Sequence, residues 1–195
     1  MLVNINNGVR QVIDLSFKPT LVGEKVILRR FNVMEDFPYL VECLQDPEVL
    51  KFTGGSDDFD REKIMNWYNT RNEQTDRLDL AIVDKSLNNL VGEAVVNEYD
   101  QVNHSMNFRI LIGPRGRNRG LGSEATQLII DYVFENTDLN QLTLGVYAFN
   151  PRAIKVYEKM GFVVDSVDKK DLEYEGEWID AFNMKLTREK WMNNK

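Results

Sequence analysis

The chain has one cysteine and one histidine in 195 residues. With Cys43 alone, no intrachain disulfide can form, which suits a reducing compartment. Cys43 and His104 do not make up a metal-ligand set, so no metal is expected. Long hydrophobic runs are missing as well. Nothing approaches the roughly 18 to 20 apolar residues of a membrane span, and the N-terminus lacks the charged region and apolar run of a secretory signal. A cytoplasmic protein with no membrane partner is expected. Basic charge is also short: 24 Lys and Arg stand against 31 Asp and Glu, a net charge of −7. Phosphate neutralisation needs a basic face, so nucleic acid is excluded as a main partner. The acidic balance tilts towards a basic one. Repeats, linkers and low-complexity segments are absent. What remains is 43% hydrophobic and 28% charged, the balance of a globular domain. The length predicts a single domain over 1–195, with 1–20 as an N-terminal extension and 21–187 as the core.

Periodicity places the elements. Val9 to Leu15 reads as an edge strand or a packed extension. Leu21 to Phe31 alternates as the first secure strand. Asp36 to Leu50 has helical spacing, with Cys43 as a core residue and a break near Asp46-Pro47. Gly54 to Asp58 is a loop, and a second helix over Asp60 to Gln74 is anchored by Ile64, Trp67 and Tyr68. Leu78–Val83 and Leu90–Tyr99 are strands around a turn containing Asn88-Asn89, residues that tolerate left-handed backbone. Gln141 to Tyr147 is a further strand. Asn150 is an N-cap, Pro151 a first helical residue and Gly161 a C-terminal cap for the helix between them. Phe162–Val167 and Trp178–Lys185 close the chain as strands around a turn at Glu175-Gly176.

The chain is organised around Met106 to Asn136. An apolar strand, Met106 to Ile112, runs into a basic glycine-rich loop, Gly113 to Gly122. A helix follows on the spacing of Ala125, Leu128, Ile129, Tyr132 and Val133. Strand, glycine loop and helix start together form an anion site: glycines let the backbone approach a phosphate, and the first-turn N–H groups and helix dipole favour negative charge. Leu121-Gly122-Ser123 after Gly120 lacks the Lys-Ser/Thr pair of a P-loop. The glycine spacing also misses the dinucleotide fingerprint. Because a helix joins Met106–Ile112 to Gln141–Tyr147, those two strands are expected to be parallel.

Arg117-Asn118-Arg119-Gly120-Leu121-Gly122 resembles the R/Q-x-x-G-x-G/A pyrophosphate loop of the GCN5-related N-acetyltransferases. After the next strand, Asn150-Pro151-Arg152-Ala153, Tyr157 and Gly161-Phe162 match the N-x-x-A/S-x-x-x-Y-x-x-x-G-F signature of the same superfamily. Asp46-Pro47-Glu48-Val49, the Trp67 helix and Glu177-Trp178-Ile179-Asp180 look like its branch of ribosomal-protein alanine and serine N-acetyltransferases. The resemblance covers Val22 to Leu186. It implies an α/β (α+β) fold: a mixed, mostly antiparallel twisted sheet with splayed central strands and flanking helices. It implies acetyl-CoA as co-substrate, with the pantetheine arm on the backbone of Ile110, Leu111 and Ile112. The pyrophosphate would rest on the amides of Arg117, Asn118, Arg119, Gly120, Leu121 and Gly122. The side chains of Arg115, Arg117 and Arg119 would add charge-assisted contacts or draw the anion from solution. Ser123 offers a hydroxyl and an amide, and Asn150 resembles the residue that contacts pantetheine. Homodimers are common in this branch.

The implied reaction is attack of a primary amine on the thioester within a ternary complex. Such an amine has a pKa of roughly 8 to 10.4 and must lose a proton first. The carbonyl needs a hydrogen-bond donor, for which a backbone N–H near Leu111 is placed, and the departing thiolate gains from a general acid. By resemblance Tyr157 is that acid. Relatives in this branch often carry a glutamate where Asn107 stands, and asparagine cannot take a proton. Glu98 is therefore the first candidate base and Glu93 the second. Of the acceptors that suit an acidic protein, the branch resemblance favours a peptide N-terminal amine, with a polyamine and an aminoglycoside-type antibiotic as alternatives. A non-catalytic acyl-CoA-binding module is the alternative from a different class.

Overall fold

A computed structural model describes residues 14–55 and 59–195. The expected strand over Val9–Leu15 lies almost wholly outside the described residues, as do the last three residues of the Gly54–Asp58 loop. What is described of the extension is packed. Leu15 is buried, and its N–H donates to the Thr75 carbonyl at 2.7 Å.

Eight strands form one sheet: β1 (Leu21–Val22), β2 (Val26–Arg29), β3 (Leu78–Asp84), β4 (Asn89–Asp100), β5 (Ser105–Ile112), β6 (Gln141–Tyr147), β7 (Val163–Tyr174) and β8 (Glu177–Thr187). Their spatial order is β1-β2-β3-β4-β5-β6-β8-β7. Every neighbouring pair is antiparallel except β5–β6, which is parallel as the intervening helix requires. Six helices flank the sheet among the described residues: α1 (Val33–Leu44), α2 (Pro47–Thr53), α3 (Arg61–Asn69), α4 (Leu121–Asn136), α5 (Pro151–Lys159) and α6 (Arg188–Asn193).

Two apolar layers hold the helices in place. On one face Ala125, Ile129, Ile130 and Val133 of α4 pack with Leu28, Leu80, Ala94 and Phe108 of the sheet, and α5 adds Tyr157. On the other face Leu40 and Cys43 of α1 and Tyr68 of α3 meet Phe31, Ala81 and Leu90. Full burial of each large apolar side chain is worth about 1.5–3 kcal/mol relative to exposure. The α4 stripe alone is therefore enough to seat that helix on the strands before it.

The β5–β6 ladder is short. Ser105, Met106 and Asn107 pair with Gln141, Leu142 and Thr143, and the pairing stops there. Beyond it, Phe108 to Ile112 are paired only with β4, and Leu144 to Tyr147 only with β8. The two central strands splay, leaving one backbone edge of β5 open. The β4–β5 register is pinned at Gly92, where a Cβ would lie 2.0 Å from the Leu111 carbonyl oxygen.

Several boundaries differ from the sequence pattern, each for a long-range reason. The expected strand Leu21–Phe31 is two strands around a turn. The Glu124 carboxylate of α4 accepts the N–H groups of Glu24 and Lys25, clamping that turn from 99 or 100 residues away. The first helix breaks at Asp46 as expected, and Asp46 Oδ1 caps α2 by accepting from the Val49 N–H at 3.0 Å. β7 runs to Tyr174, well past Val167, because it keeps pairing with β8 across two irregularities. Short α6 had no helical repeat to announce it; Trp191 anchors it on Phe134, ring centroids 5.2 Å apart.

Candidate active site

The open edge of β5 faces a groove of about 230 Å³. Its floor is Ile110, Leu111 and Ile112. Beyond them the loop turns at Gly120, whose φ of +79° is a left-handed value that glycine adopts without strain. Gly120 is the N-cap of α4, and no side chain caps the helix there. The first-turn N–H groups of Leu121, Gly122 and Ser123 are thus unclaimed by any cap and lie at the groove, where a helix N-terminus favours an anion. Arg117, Asn118, Gly120, Leu121, Gly122, Ser123 and Asn150 all line this groove.

Arg119 does not. Its guanidinium pairs with buried Asp84 and donates to Ser86 Oγ at 2.9 Å. Burial alone would push Asp84 upward, yet the Arg119 and Ser86 hydrogen bonds hold its carboxyl below the usual range. Arg115 is turned to Glu42 at 2.8 Å. Arg117 lines the groove but is shared by Asp46 and Glu48. The three arginines fasten the loop to α1, α2 and the β3–β4 turn. Only Arg117 is placed to touch a ligand in the groove as well.

On the opposite wall, α5 begins at Asn150, whose Oδ1 accepts from the Ala153 N–H at 3.1 Å. The cap occupies that oxygen and leaves the amide Nδ2 for a ligand. Tyr157 follows two turns on, 7% exposed. It sits edge-on to Phe108, with ring centroids 6.4 Å apart. Burial pushes its phenol up to about 12, so the hydroxyl stays protonated at neutral pH.

A second cavity, of about 680 Å³, opens on the α1–α3 side of β5. Trp67 and Tyr68 of α3 and Phe52 of α2 form its apolar wall. Asn107 and Arg109 enter from β5, and Asp168 and Asp171 from β7. Glu93 lies behind them, 5% exposed, and its Oε2 accepts the Tyr68 hydroxyl at 2.7 Å. Burial raises the Glu93 carboxyl, while the Tyr68 hydrogen bond and the Arg109 charge pull it back in part. Leu111, Asn150 and Tyr157 line both cavities.

Glu98 is placed elsewhere. The β4–β5 register shifts between Asn97 and Asp100, Glu98 takes a φ of +56° there, and its side chain is exposed and lines neither cavity. The bulge turns it out of the strand's alternation, whereas Glu93 keeps the face shared with its partner Leu111. Arg109, Asp168 and Asp171 are cavity residues that the pattern analysis did not single out. Arg109 had a usable signal: it alternates with Asn107 and Leu111 on one face of β5. The β7 carboxylates had none, because their position depends on β7 pairing with β8 far beyond Val167. Cys43, buried under Gly113 with its thiol pushed up to about 12 by burial, stands as the expected core residue. Among the described residues no three His, Cys, Asp or Glu side chains gather as a metal site. Among the described residues no helix is long and apolar enough to cross a membrane.

Comparison with known proteins adds independent findings. The acetyltransferase (GNAT) domain family matches residues 25–163. The spermidine N(1)-acetyltransferase of Vibrio cholerae serotype O1 is 27% identical over 112 residues, 57% of this chain and 65% of that protein. The L-amino acid N-acetyltransferase AaaT of Escherichia coli is 32% identical over 89 residues, 46% of this chain and 55% of that protein. The chain thus spans less than two thirds of the length of either relative. The structure of spermidine N-acetyltransferase from Vibrio cholerae in complex with CoA and spermine superposes with a TM-score of 0.78 at 20% identity, covering 88% of this chain and all of that one.

Proposed function

Because this chain belongs to the GNAT family of acetyltransferases, we propose that it moves an acetyl group from acetyl-CoA to a primary amine by direct attack in a ternary complex. The observation that carries this reading is the junction of groove and cavity at Leu111, Asn150 and Tyr157. A donor laid along β5 with its pyrophosphate on the α4 N-terminus would present its thioester there, and an amine held in the second cavity would reach it. A junction of this kind supplies proximity between the two reacting groups.

Each step then has a group to perform it. The incoming ammonium gives its proton to Glu93, directly or through a water, and the neutral nitrogen attacks the carbonyl carbon. A backbone N–H near Leu111 donates to the developing oxyanion. As the C–S bond breaks, Tyr157 gives its hydroxyl proton to the departing thiolate, the attacking nitrogen returns its second proton to the Tyr157 oxygen through water, and the product amide is left uncharged. Glu93 replaces Glu98 as the base of this scheme, because only Glu93 faces the cavity. Asn107 also faces it and orients rather than takes a proton. The buried single cysteine supports direct transfer over an acyl-enzyme, and with the charge balance it supports a cytoplasmic setting.

The acceptor is a small amine in this reading. The relatives' acceptors include spermidine and L-amino acids, and the cavity is lined by carboxylates and aromatic rings. A peptide N-terminal amine, suggested by the branch resemblance, is the runner-up within the class. A non-catalytic acyl-CoA-binding module is the reading from another class. Asn107 at the family's glutamate position favours that module, and Glu93, Tyr157 and Asn150 oppose it.

Thiol release from acetyl-CoA against polyamines, amino acids, aminoglycosides and short peptides tests the proposal, with calorimetric titration of acetyl-CoA alongside. Amine-dependent release is expected. Binding without release from any amine would favour the binding module, and no binding would overturn the donor-groove assignment.

A further inference from the structure

Among the described residues Arg109 is the one arginine of the second cavity. Arginines near the site are engaged elsewhere: Arg29 with Asp36, Arg77 with Asp79, Arg117 with Asp46 and Arg119 with Asp84. Arg71 lies over the Trp67 ring, 4.0 Å from its centroid. Among the described residues the Arg109 guanidinium has no carboxylate within ion-pair distance, no hydrogen-bond acceptor and no ring beneath it. It is exposed within the cavity and sits one alternation from Leu111, where the donor and acceptor spaces join. A guanidinium is a rigid fork of donors matched to a planar oxyanion. Left unclaimed at the wall of a binding cavity, it is a receptor for a carboxylate brought by the ligand.

The rest of the wall narrows the ligand further. Asp168 and Asp171 enter from β7. Asp168 already accepts from Asn183 Nδ2 at 2.8 Å, and Asp171 is exposed. With Glu93 behind them, these groups receive positive charge. Among the described residues the cavity has one cation without an ion pair, on the β5 wall, with carboxylates around it, which fits an acceptor that carries both signs. A polyamine, cationic along its length, would set an ammonium against Arg109 as well as against the carboxylates, whereas a ligand carboxylate would meet the guanidinium with opposite charge.

We propose that the acceptor is an amine that also bears a carboxylate, as an amino acid does, with Arg109 as the residue that grips that carboxylate and selects it. The proposal rests on the acetyl-transfer reading of the same site. A carboxylate of this kind comes from a free amino acid or from an acidic first residue of a peptide, and the choice between them is made by experiment.

The test compares matched acceptors in the thiol-release assay: each of a panel of L-amino acids, its α-carboxamide, and the corresponding amine without the carboxyl group, for lysine 1,5-diaminopentane. Peptide amides beginning with Asp or Glu, against Asn or Gln, form the second arm. A charge-assisted bidentate contact predicts that the favoured carboxylate-bearing acceptor exceeds its uncharged analogue by about 10- to 100-fold in kcat/KM. In Arg109→Gln that ratio collapses by the same factor, and Arg109→Lys, which keeps the charge without the fork, restores part of it. Acetyl-CoA affinity measured on both variants checks that the fold is intact. Amides or diamines acetylated as well as, or better than, the acids would overturn the proposal and leave the transferase reading standing. A ratio unmoved in Arg109→Gln would overturn the role of Arg109. Absence of release from every amine would overturn both readings together.

Discussion

The Tyr68 hydroxyl donates to Glu93 Oε2 at 2.7 Å, so α3 holds the buried carboxylate of β4 in place within the acceptor cavity. The same bond joins the cavity's aromatic wall to its deepest acid. Any loosening of α3 is therefore felt at the group assigned to take the proton.

Replacing Glu93 with Gln keeps the shape and an acceptor for Tyr68 but removes the proton acceptor. Turnover is expected to fall about 10²- to 10⁴-fold, the range of a lost general base, and the rise of kcat/KM with pH through the Glu93 titration should vanish. Thermal stability should move the other way. Burial raises the folded Glu93 carboxyl above its unfolded value. Its stability contribution is therefore full below about pH 4.3 and is lost as pH rises through the folded value. Melting curves from pH 4 to 8 should show the variant gaining on the native protein as pH increases. A variant with native turnover would remove Glu93 from the mechanism.

Tyr157→Phe separates acid catalysis from packing. The ring stays against Phe108 and Phe162, so acetyl-CoA affinity by calorimetry should hold within about twofold while turnover drops at least about 10²-fold. With the phenol pushed up to about 12, Tyr157 remains protonated across the assay range. Native activity should show no alkaline decline from this group below about pH 11. Turnover equal to the native value in the variant would assign the residue to the core alone.

Gly120 tests the anion site. Its φ of +79° strains most residues with a Cβ and asparagine least, so two variants are compared. Asparagine tolerates that backbone and adds no charge; glutamate adds a carboxylate beside the α4 N-terminus. Gly120→Glu should weaken acetyl-CoA binding by more than about tenfold and Gly120→Asn by much less, since the helix end favours a single anion. Similar affinities in calorimetry would place the pyrophosphate elsewhere.

Cys43→Ser should retain activity within about twofold, and the native thiol should react slowly with disulfide reagents at pH 8. Its thiolate forms only near pH 12, and its sulfur packs where a Cβ on Gly113 would fall. A trapped acyl-cysteine would contradict direct transfer.

Much of the groove was legible in the residues. The glycine-rich loop, the Asn150 cap and the alternation of β3, β4 and β6 are local signals, each read within a dozen positions. The second cavity was not, because it is assembled from α2, α3, β4, β5 and β7, elements far apart in the chain. Glu93 and Glu98 carry the same side chain on one strand, five positions apart and so on opposite faces by alternation; which face meets the cavity is set by elements distant in the chain, and the register shift between Asn97 and Asp100 turns Glu98 further out. Arg119 looked like a phosphate ligand from its neighbours, yet Asp84, 35 positions earlier, had claimed it. The turn that divides β1 from β2 is likewise written in Glu124, on a helix a hundred residues away.

The splay of β5 and β6 has a mechanical side. Only Ser105–Asn107 and Gln141–Thr143 join them, so the sheet is two plates, β1–β5 and β6–β8, welded along one short seam. Beyond that weld no backbone ladder joins the plates, and side chains alone span the splay, as where Phe108 packs on Tyr157 and Phe162. A pantetheine arm lying along the open edge of β5 would act as a rivet across the gap, and the stiffness of the enzyme would then belong to the ligated assembly rather than to the polypeptide by itself.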